Sequence, residues 1–382
     1  MLRGFGMNKF VKMSDRELGR RLRCARTNAN LTQDEAANEI GVARTTLIAM
    51  EKGERTVRPY ELRALANIYG QPLNRLLQDD SVEIDIVGRF RRRINGKSGA
   101  QDGDTALKMM GRFVTTTVEL ERHLGVNCRA NYPPQVSIKS GRLQDLAEDA
   151  ALAVRQHLGV GIGPIQDVVS LIEIELGARV FVTPLPPDIS GAFAFDPSVG
   201  ACILVNALHP RTRRNMTAAH ELGHLVGSRD IVELNASRYI EDSREERFAT
   251  LFGAAFLMPA PWVRRRFSDI IEQGQKFSPR DLVLLSESAF VSPEAMCRRL
   301  ESLGLLKSGM WESLIDRGFN TKFLKSLERA EQASESRPIP PRLAWLAAAA
   351  VERGMLSEGQ LVERLGIDRA QVREMLDEML TD

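Results

Sequence analysis

The clearest chemical signal in the sequence is an H-E-x-x-H pattern that runs from His220 to His224. In a helix, residues four positions apart lie on one face, so both imidazoles can reach the same cation. Glu221 is rotated by roughly 100° from the first histidine and can instead address a water molecule on that cation. The spacing predicts a divalent metal site on a helix that begins near Thr212. The alternative is that both histidines are ordinary helix-face residues, paired with Glu221 or with solvent.

A hydrolytic zinc site needs a third protein ligand and one coordination position left open for water. We predict Glu246 as that ligand, with Glu245 as the second choice. The helix that carries them also contains small residues, Ala249, Gly253 and Ala254, which permit a close approach to the first helix. A glutamate in such a charged run is usually a solvated surface charge, and the preceding histidine motif is what favours a ligand.

Two histidines and one glutamate around zinc favour hydrolysis of a peptide bond. Zinc lowers the pKa of water towards 7, and Glu221 can take the water's proton and pass it to the leaving amine. Tyr239 and Arg238 are candidates for support of the oxyanion, but each is equally explained as a packing or surface residue. The segment from Ile203 to Asn206 has two open interpretations, as an edge strand that pairs with an extended substrate or as a core strand.

A second signal, near the start of the chain, is typical of two short helices joined by a tight turn. Thr32 and Glu35 form a capping-box pattern at the start of the first helix. Gly41 supplies the turn, and residues 43–51 form the second helix. Such a pair fits the major groove of DNA, although small helical domains also serve as dimerisation or protein-docking modules.

Composition indicates the class of protein. The 382 residues suffice for two or three domains, and 43% hydrophobic with 27% charged residues is typical of soluble globular proteins. The net charge of +2 is too small to indicate a nucleic-acid partner by itself. No apolar run approaches the roughly 20 residues of a membrane span, no secretory h-region is present, and the four cysteines lack C-x-x-C spacing. We therefore expect a cytoplasmic protein with reduced thiols.

Periodicity and turn residues predict the remaining elements. After the N-terminal helices, three short strand candidates occupy Ala178 to Thr183, Gly191 to Phe195 and Ala201 to Val205. Beyond the last of these strands the pattern is helical for the rest of the chain. A polar, proline-rich linker over residues 331–341 precedes a final pair of helices.

The metal motif lies within a longer pattern that resembles the ImmA/IrrE family of metallopeptidases. The matching blocks are the strand Ile203 to Asn206, the helix Arg214 to Val226, and the segment Glu246 to Pro259, which ends in Phe-Leu-Met-Pro. The resemblance covers about Asp145 to Pro259, and the helical tail more loosely.

The resemblance implies that His220, His224 and Glu246 hold the metal and that Glu221 is the general base. This chain departs from the family at Thr250, where the family often has asparagine. The departure weakens the assignment of a supporting hydrogen bond without changing the ligands, and a modest loss of metal affinity is expected.

The N-terminal pattern resembles the XRE, or lambda-repressor-type, helix-turn-helix family over about Asp15 to Leu77. The matching segments are Leu31-Thr32-Gln33, Gly41-Val42, Arg44-Thr45-Thr46 and Met50-Glu51-Lys52-Gly53. The resemblance implies contacts to bases or phosphates from Gln33, Arg44, Thr45 and Thr46, and contacts to the DNA backbone from Lys52 and Arg55. Ala43 replaces the usual capping serine, which should weaken the start of the recognition helix by ~1 kcal/mol.

Together these patterns predict a mainly α fold with a small β-sheet. The expected order is a five-helix helix-turn-helix domain at 14–80, a helical linker region at 81–140, a zincin-like α+β metallopeptidase domain at 141–270, a helical subdomain at 271–332, and a C-terminal helical pair at 333–382.

Two functions are compatible with the sequence. The first is a zinc-dependent endopeptidase, with manganese as a second metal that the ligand set accepts, which cleaves a helix-turn-helix repressor or other regulatory protein in a stress or mobile-element response. Its other partners would be a double-stranded DNA operator and a second copy in a homodimer. The alternative is a transcriptional regulator whose peptidase-like domain senses a ligand or partner without proteolysis.

Overall fold

The structure is a computed structural model, and it describes residues 14–29, 31–70, 73–77, 100–126, 128–229, 233–236, 243–271, 276–319 and 339–380. The chain divides into two compact units, Met1–Asn95 and Gly96–Asp382. Throughout the described ranges, no helix combines the length and the apolarity that crossing a bilayer requires.

The first unit is helical, as predicted. Its described helices are α1 (Asp15–Asn28), α2 (Gln33–Glu39), α3 (Arg44–Lys52), α4 (Pro59–Ile68) and α5 (Leu73–Leu77). The predicted capping box is present: the Thr32 hydroxyl accepts a hydrogen bond from the Glu35 amide at 3.2 Å, and the Glu35 carboxylate accepts one from the Thr32 amide at 2.7 Å. Leu22, Leu47 and Leu65 are fully buried between the helices, so the apolar face of each helix is what holds this unit together.

The second unit is built on a four-stranded sheet with the strand order β1-β3-β2-β4. The strands are β1 (Arg179–Thr183), β2 (Ile189–Asp196), β3 (Gly200–Asn206) and β4 (Glu233–Ala236). β3 pairs in parallel with β1 and antiparallel with β2. Both edges of β3 are therefore occupied, and Ile203, Leu204 and Val205 are fully buried. The interpretation of this segment as a core strand is correct, and the interpretation as a substrate-binding edge is wrong.

The strand β4 corrects a second expectation, that the chain after β3 is entirely helical. This short strand lies antiparallel to β2, with Gly191 opposite Asn235 and Ala192 opposite Leu234. Four residues are too few to show the alternation that marks a strand in sequence. Pairing with a neighbouring strand, rather than local preference, accounts for β4.

The other described elements of the second unit are helices. From residue 100 to residue 316 they are α6 (Ala100–Leu124), α7 (Leu143–His157), α8 (Val168–Leu176), α9 (Arg211–Gly227), α10 (Arg244–Leu257), α11 (Ala260–Ile271), α12 (Pro279–Ser288), α13 (Pro293–Ser302) and α14 (Met310–Asp316). The main core lies between the sheet, α9 and α10, with Phe193, Leu222, Phe252 and Phe256 fully buried. The predicted linker region is described only from residue 100 onward, where it contains α6.

Within residues 339–380 the structure has three helices where the sequence predicts a pair: α15 (Pro341–Glu352), α16 (Glu358–Leu365) and α17 (Arg369–Leu380). Gly366, with φ of 69°, ends α16, and a third helix follows from Arg369. The helices α15 and α16 pack on α6, where Arg342 Nη2 lies 2.7 Å from Glu121 Oε1 and Arg364 contacts Glu119. These two C-terminal helices therefore pack against α6, which precedes the sheet in the chain.

Candidate metal centre and nucleic-acid interface

The helix α9 is buried along most of the stretch that carries the predicted metal ligands. It crosses α10 at a point where neither helix has a large side chain. A Cβ on Gly253 would lie 3.2 Å from the backbone nitrogen of His220, and Ala249 faces Gly223. The prediction that small residues bring the two helices together is therefore matched at Ala249 and Gly253, whereas Ala254 is half-buried at the edge of the core.

The three predicted ligands converge. His220 Nε2 lies 3.2 Å from Glu246 Oε2, and His224 Nε2 lies 3.4 Å from Glu246 Oε1. The two Nε2 atoms are 3.1 Å apart. One donor atom from each residue falls within 4.8 Å of the others, and among the described residues this cluster contains Glu246 rather than the second choice, Glu245. Three donors that surround one point are what a single small cation requires.

Helix capping places Glu246 at the cluster. The Ser243 hydroxyl accepts the Glu246 amide at 3.2 Å and thereby starts α10 immediately before the ligand. Burial acts to raise the pKa of the Glu246 carboxyl, but hydrogen bonds with His220 and His224 outweigh burial and hold that pKa below its ordinary value. The carboxylate is thus kept ionised, which is the form that binds metal.

Glu221 lies fully buried between α9 and the strand β2. A Cβ on Gly191 would come within 3.1 Å of Glu221 Oε1, 2.6 Å of the Thr217 side chain and 2.6 Å of the Leu204 carbonyl oxygen. Only glycine leaves room for this carboxylate beside the sheet. Arg238 and Tyr239, the candidates for oxyanion support, lie outside the described residues.

Two neighbours support the imidazoles in ways that the sequence analysis did not assign: it associated position 250 only with a weakened supporting hydrogen bond, and it did not name Phe193. The Thr250 hydroxyl lies 3.4 Å from His220 Nδ1. The ring of Phe193 stacks on that of His224, with centroids 6.0 Å apart and an interplanar angle of 23°. Thr250 could have been found from its position one helical turn after Glu246, but no sequence signal points from Phe193 to His224.

The residues predicted to contact DNA fall into two groups. Arg44, Thr45 and Lys52 are exposed on α3, and Thr46 is half-buried. Arg44 makes an exposed ion pair with Asp34, with Nη1 and Oδ2 3.5 Å apart. The start of α3 has no side-chain cap, as expected from Ala43, and the Thr46 amide donates instead to the Ala43 carbonyl oxygen at 2.9 Å.

Gln33 and Arg55 instead face other residues of the first unit. The Gln33 amide donates to Glu51 Oε2 at 2.9 Å, and the Arg26 guanidinium donates to the same carboxylate with a shortest distance of 2.6 Å. Arg55 Nη2 lies 2.8 Å from Glu61 Oε1. These contacts connect helices within the unit, a role that the sequence analysis did not assign to either residue.

Two family models match the chain. Residues 174–301 match the IrrE N-terminal-like domain, and residues 19–82 match a helix-turn-helix domain. The chain thus combines a helix-turn-helix domain with an IrrE N-terminal-like, peptidase-type domain, as the sequence resemblances predicted.

Similarity to individual proteins is more limited. The cryptic phage CTXphi transcriptional repressor RstR of Vibrio cholerae is 37% identical over 65 residues, which are 17% of this chain and 59% of the repressor's length. Among solved structures, ComR from Streptococcus suis aligns over 97% of this chain and 89% of its own, with 11% identity and a TM-score of 0.17. That score is too low to indicate a shared fold.

Proposed function

We propose that this protein is a metal-dependent endopeptidase joined to a DNA-binding domain. The observation that carries the proposal is the convergence of His220, His224 and Glu246, with donor atoms within 4.8 Å of one another, at a helix that also holds the buried Glu221. Two imidazole nitrogens and one carboxylate oxygen are the donor set of hydrolytic zinc sites, and manganese is a second metal that they accept.

Each residue of the proposed site has a separate role in peptide hydrolysis. When bound, zinc supplies a Lewis acid for the peptide carbonyl and lowers the pKa of the attacking water. His220, His224 and Glu246 would hold the cation. Glu221 acts as the general base, taking a proton from the water and passing it to the leaving amine. Close packing against Gly191 restricts where the Glu221 carboxylate can lie, which keeps it in place for proton transfer.

The proposed partner of the first unit is a double-stranded DNA operator. Arg44, Thr45, Thr46 and Lys52 are the proposed contacts, supported by the exposure of three of them on α3 and by the uncapped start of that helix. The match to a helix-turn-helix family model and the likeness to a transcriptional repressor support the same role. Gln33 and Arg55 are assigned to the support of α2 and of the loop after α3, because Glu51 and Glu61 already bind them.

The proposed substrate is a regulatory protein, in the first instance a repressor of the helix-turn-helix class. Support for this class comes from the resemblance to the ImmA/IrrE metallopeptidases, whose members act on such repressors in stress and mobile-element responses. An operator-binding unit in the same chain would hold the peptidase at the DNA sites where repressors are bound.

A Glu221→Gln variant tests the proposal. Wild type and variant, both loaded with zinc, are incubated with a quenched fluorescent peptide library, and duplex DNA binding is measured on the same samples. We expect the variant to keep its zinc and its DNA binding and to lose cleavage by about 100- to 10,000-fold. Cleavage at equal rates, or in neither protein, would contradict proteolysis and favour a regulator that uses the domain as a ligand or partner sensor.

A further inference from the structure

Thr250 lies on the same face of α10 as Glu246, one helical turn further along. The two side chains address opposite nitrogens of one imidazole. Glu246 Oε2 is 3.2 Å from His220 Nε2, and Thr250 Oγ1 is 3.4 Å from His220 Nδ1. One helix therefore contacts both nitrogens of a ligand that belongs to the neighbouring helix.

We propose that Thr250 is a positioning residue for His220: with Nε2 committed to the metal, the Thr250 hydroxyl oxygen accepts a hydrogen bond from Nδ1–H and holds the imidazole in that orientation. The inference rests on the proposed metal site. A neutral imidazole carries one N–H, and only the nitrogen without it can bind a cation. The reverse arrangement, with the hydroxyl donating to Nδ1, would place the proton on Nε2 and block coordination.

The position of Thr250 suits an accepting role. Its side chain is exposed, whereas Phe248, Ala249 and Phe252 beside it are buried in the core. The exposed hydroxyl can turn its own hydrogen towards solvent and present a lone pair to Nδ1. Partners of this kind fix both the tautomer and the ring orientation of a histidine ligand.

The two histidines are supported in different ways. The His224 ring stacks on the fully buried ring of Phe193, which restricts the plane of the imidazole by packing. The His220 ring instead has the Thr250 hydroxyl against its Nδ1 atom, which restricts the tautomer. Removal of the Thr250 hydroxyl should consequently change His220 and leave the orientation of His224 as it is.

Two substitutions, each of which removes one group from Thr250, distinguish the effect of the hydroxyl from that of the rest of the side chain. Thr250→Val keeps the branched shape and removes the hydroxyl, and Thr250→Ser keeps the hydroxyl and removes the methyl group. Zinc affinity is measured on full-length protein by competition with a fluorescent chelator, and the stability of the metal-free protein is measured by urea unfolding.

The expected result is a loss of about tenfold in zinc affinity for Thr250→Val, within the range known for such supporting partners. The serine variant should bind zinc as the wild type does, and the stability of the metal-free valine variant should match that of the wild type.

Equal zinc affinity in the valine variant and the wild type would overturn the role of Thr250 while leaving the metal site intact. Equal losses in both variants would also overturn it, because packing rather than the hydroxyl would then be the cause. A wild-type protein that binds no zinc would instead overturn the proposed function itself.

Discussion

Gly223 and Ala249 meet where α9 crosses α10: a Cβ on Gly223 would lie 2.8 Å from the Cα of Ala249 and 3.1 Å from its carbonyl oxygen. Real side chains do not approach backbone atoms this closely, so the missing side chain sets the separation of the two helices. Since α9 carries both histidines and α10 carries Glu246, the same contact determines how near the three donors come.

Gly223→Ala is expected to push the two helices apart. The added methyl group has no space, and we expect the free energy of unfolding to fall by about 1–3 kcal/mol, as in other overpacked cores, with weaker zinc binding. Urea unfolding and chelator competition measure the two effects. The control is Gly359→Ala in α16, where the nearest atom to the added carbon is 3.9 Å away and a small gain in stability is expected. Unchanged stability of Gly223→Ala would contradict the packing described.

Gly191→Ala is expected to act on catalysis more than on metal binding. The new methyl group would come within 3.1 Å of Glu221 Oε1 and displace the general base, whereas none of the three metal ligands is among the atoms nearest to it. A displacement of this size can reduce kcat by about 100-fold. Peptide cleavage per bound zinc measures the effect, and a rate equal to that of the wild type would show that the position of Glu221 is not critical.

Glu173 on α8 should make stability depend on pH. Burial raises the pKa of the Glu173 carboxyl from 4.5 to about 7, with attraction to Arg342 opposing part of the rise. Between these two pH values the folded protein binds more protons than the unfolded chain. The free energy of unfolding therefore falls as pH rises through this window and changes little more above about pH 7.

Glu173→Gln should remove that dependence. Its stability relative to the wild type is expected to increase by about 2 kcal/mol between pH 5 and pH 8, a value reduced to allow for partial exposure of the carboxyl. Urea unfolding at the two pH values measures the difference. Glu175→Gln, an exposed position on the same helix, is the control, and a similar pH dependence in both variants would contradict a special role for Glu173.

Arg44→Ala should weaken DNA binding. If Arg44 contacts a phosphate, loss of its charge reduces the slope of the logarithm of the binding constant against the logarithm of the salt concentration by about one. The measurement is fluorescence anisotropy of a labelled random-sequence duplex over a range of salt concentrations. Arg63→Ala removes an exposed arginine from α4 and serves as the control. An unchanged salt dependence in Arg44→Ala, or an equal change in both variants, would argue against α3 as the DNA-contacting helix.

The parts of the fold that the sequence predicts are those specified by local chemistry. Thr32 and Glu35 cap each other within one helical turn. The spacing of His220 and His224 likewise follows from the geometry of a single helix. Glu246 could be selected because the small residues on its own helix permit a close approach to the helix of the histidines.

The features that the sequence does not predict depend on distant partners. Residues 233–236 become a strand through pairing with β2, and the core position of Ile203 follows from strands on both sides of it. The contact between Thr250 and His220 and the bond between Gln33 and Glu51 each join separate helices. Single-sequence patterns report periodicity along the chain and carry no record of which faces meet.

Zinc content tests the central claim most directly. Wild type, Glu246→Ala and Glu245→Ala are purified at full length, exposed to zinc, dialysed, and analysed by mass spectrometry for metal per chain. If His220, His224 and Glu246 form one site, then the wild type and Glu245→Ala each retain about one zinc ion, and Glu246→Ala retains far less. Full retention of zinc by Glu246→Ala, or equal loss from both variants, would contradict the three-residue metal centre.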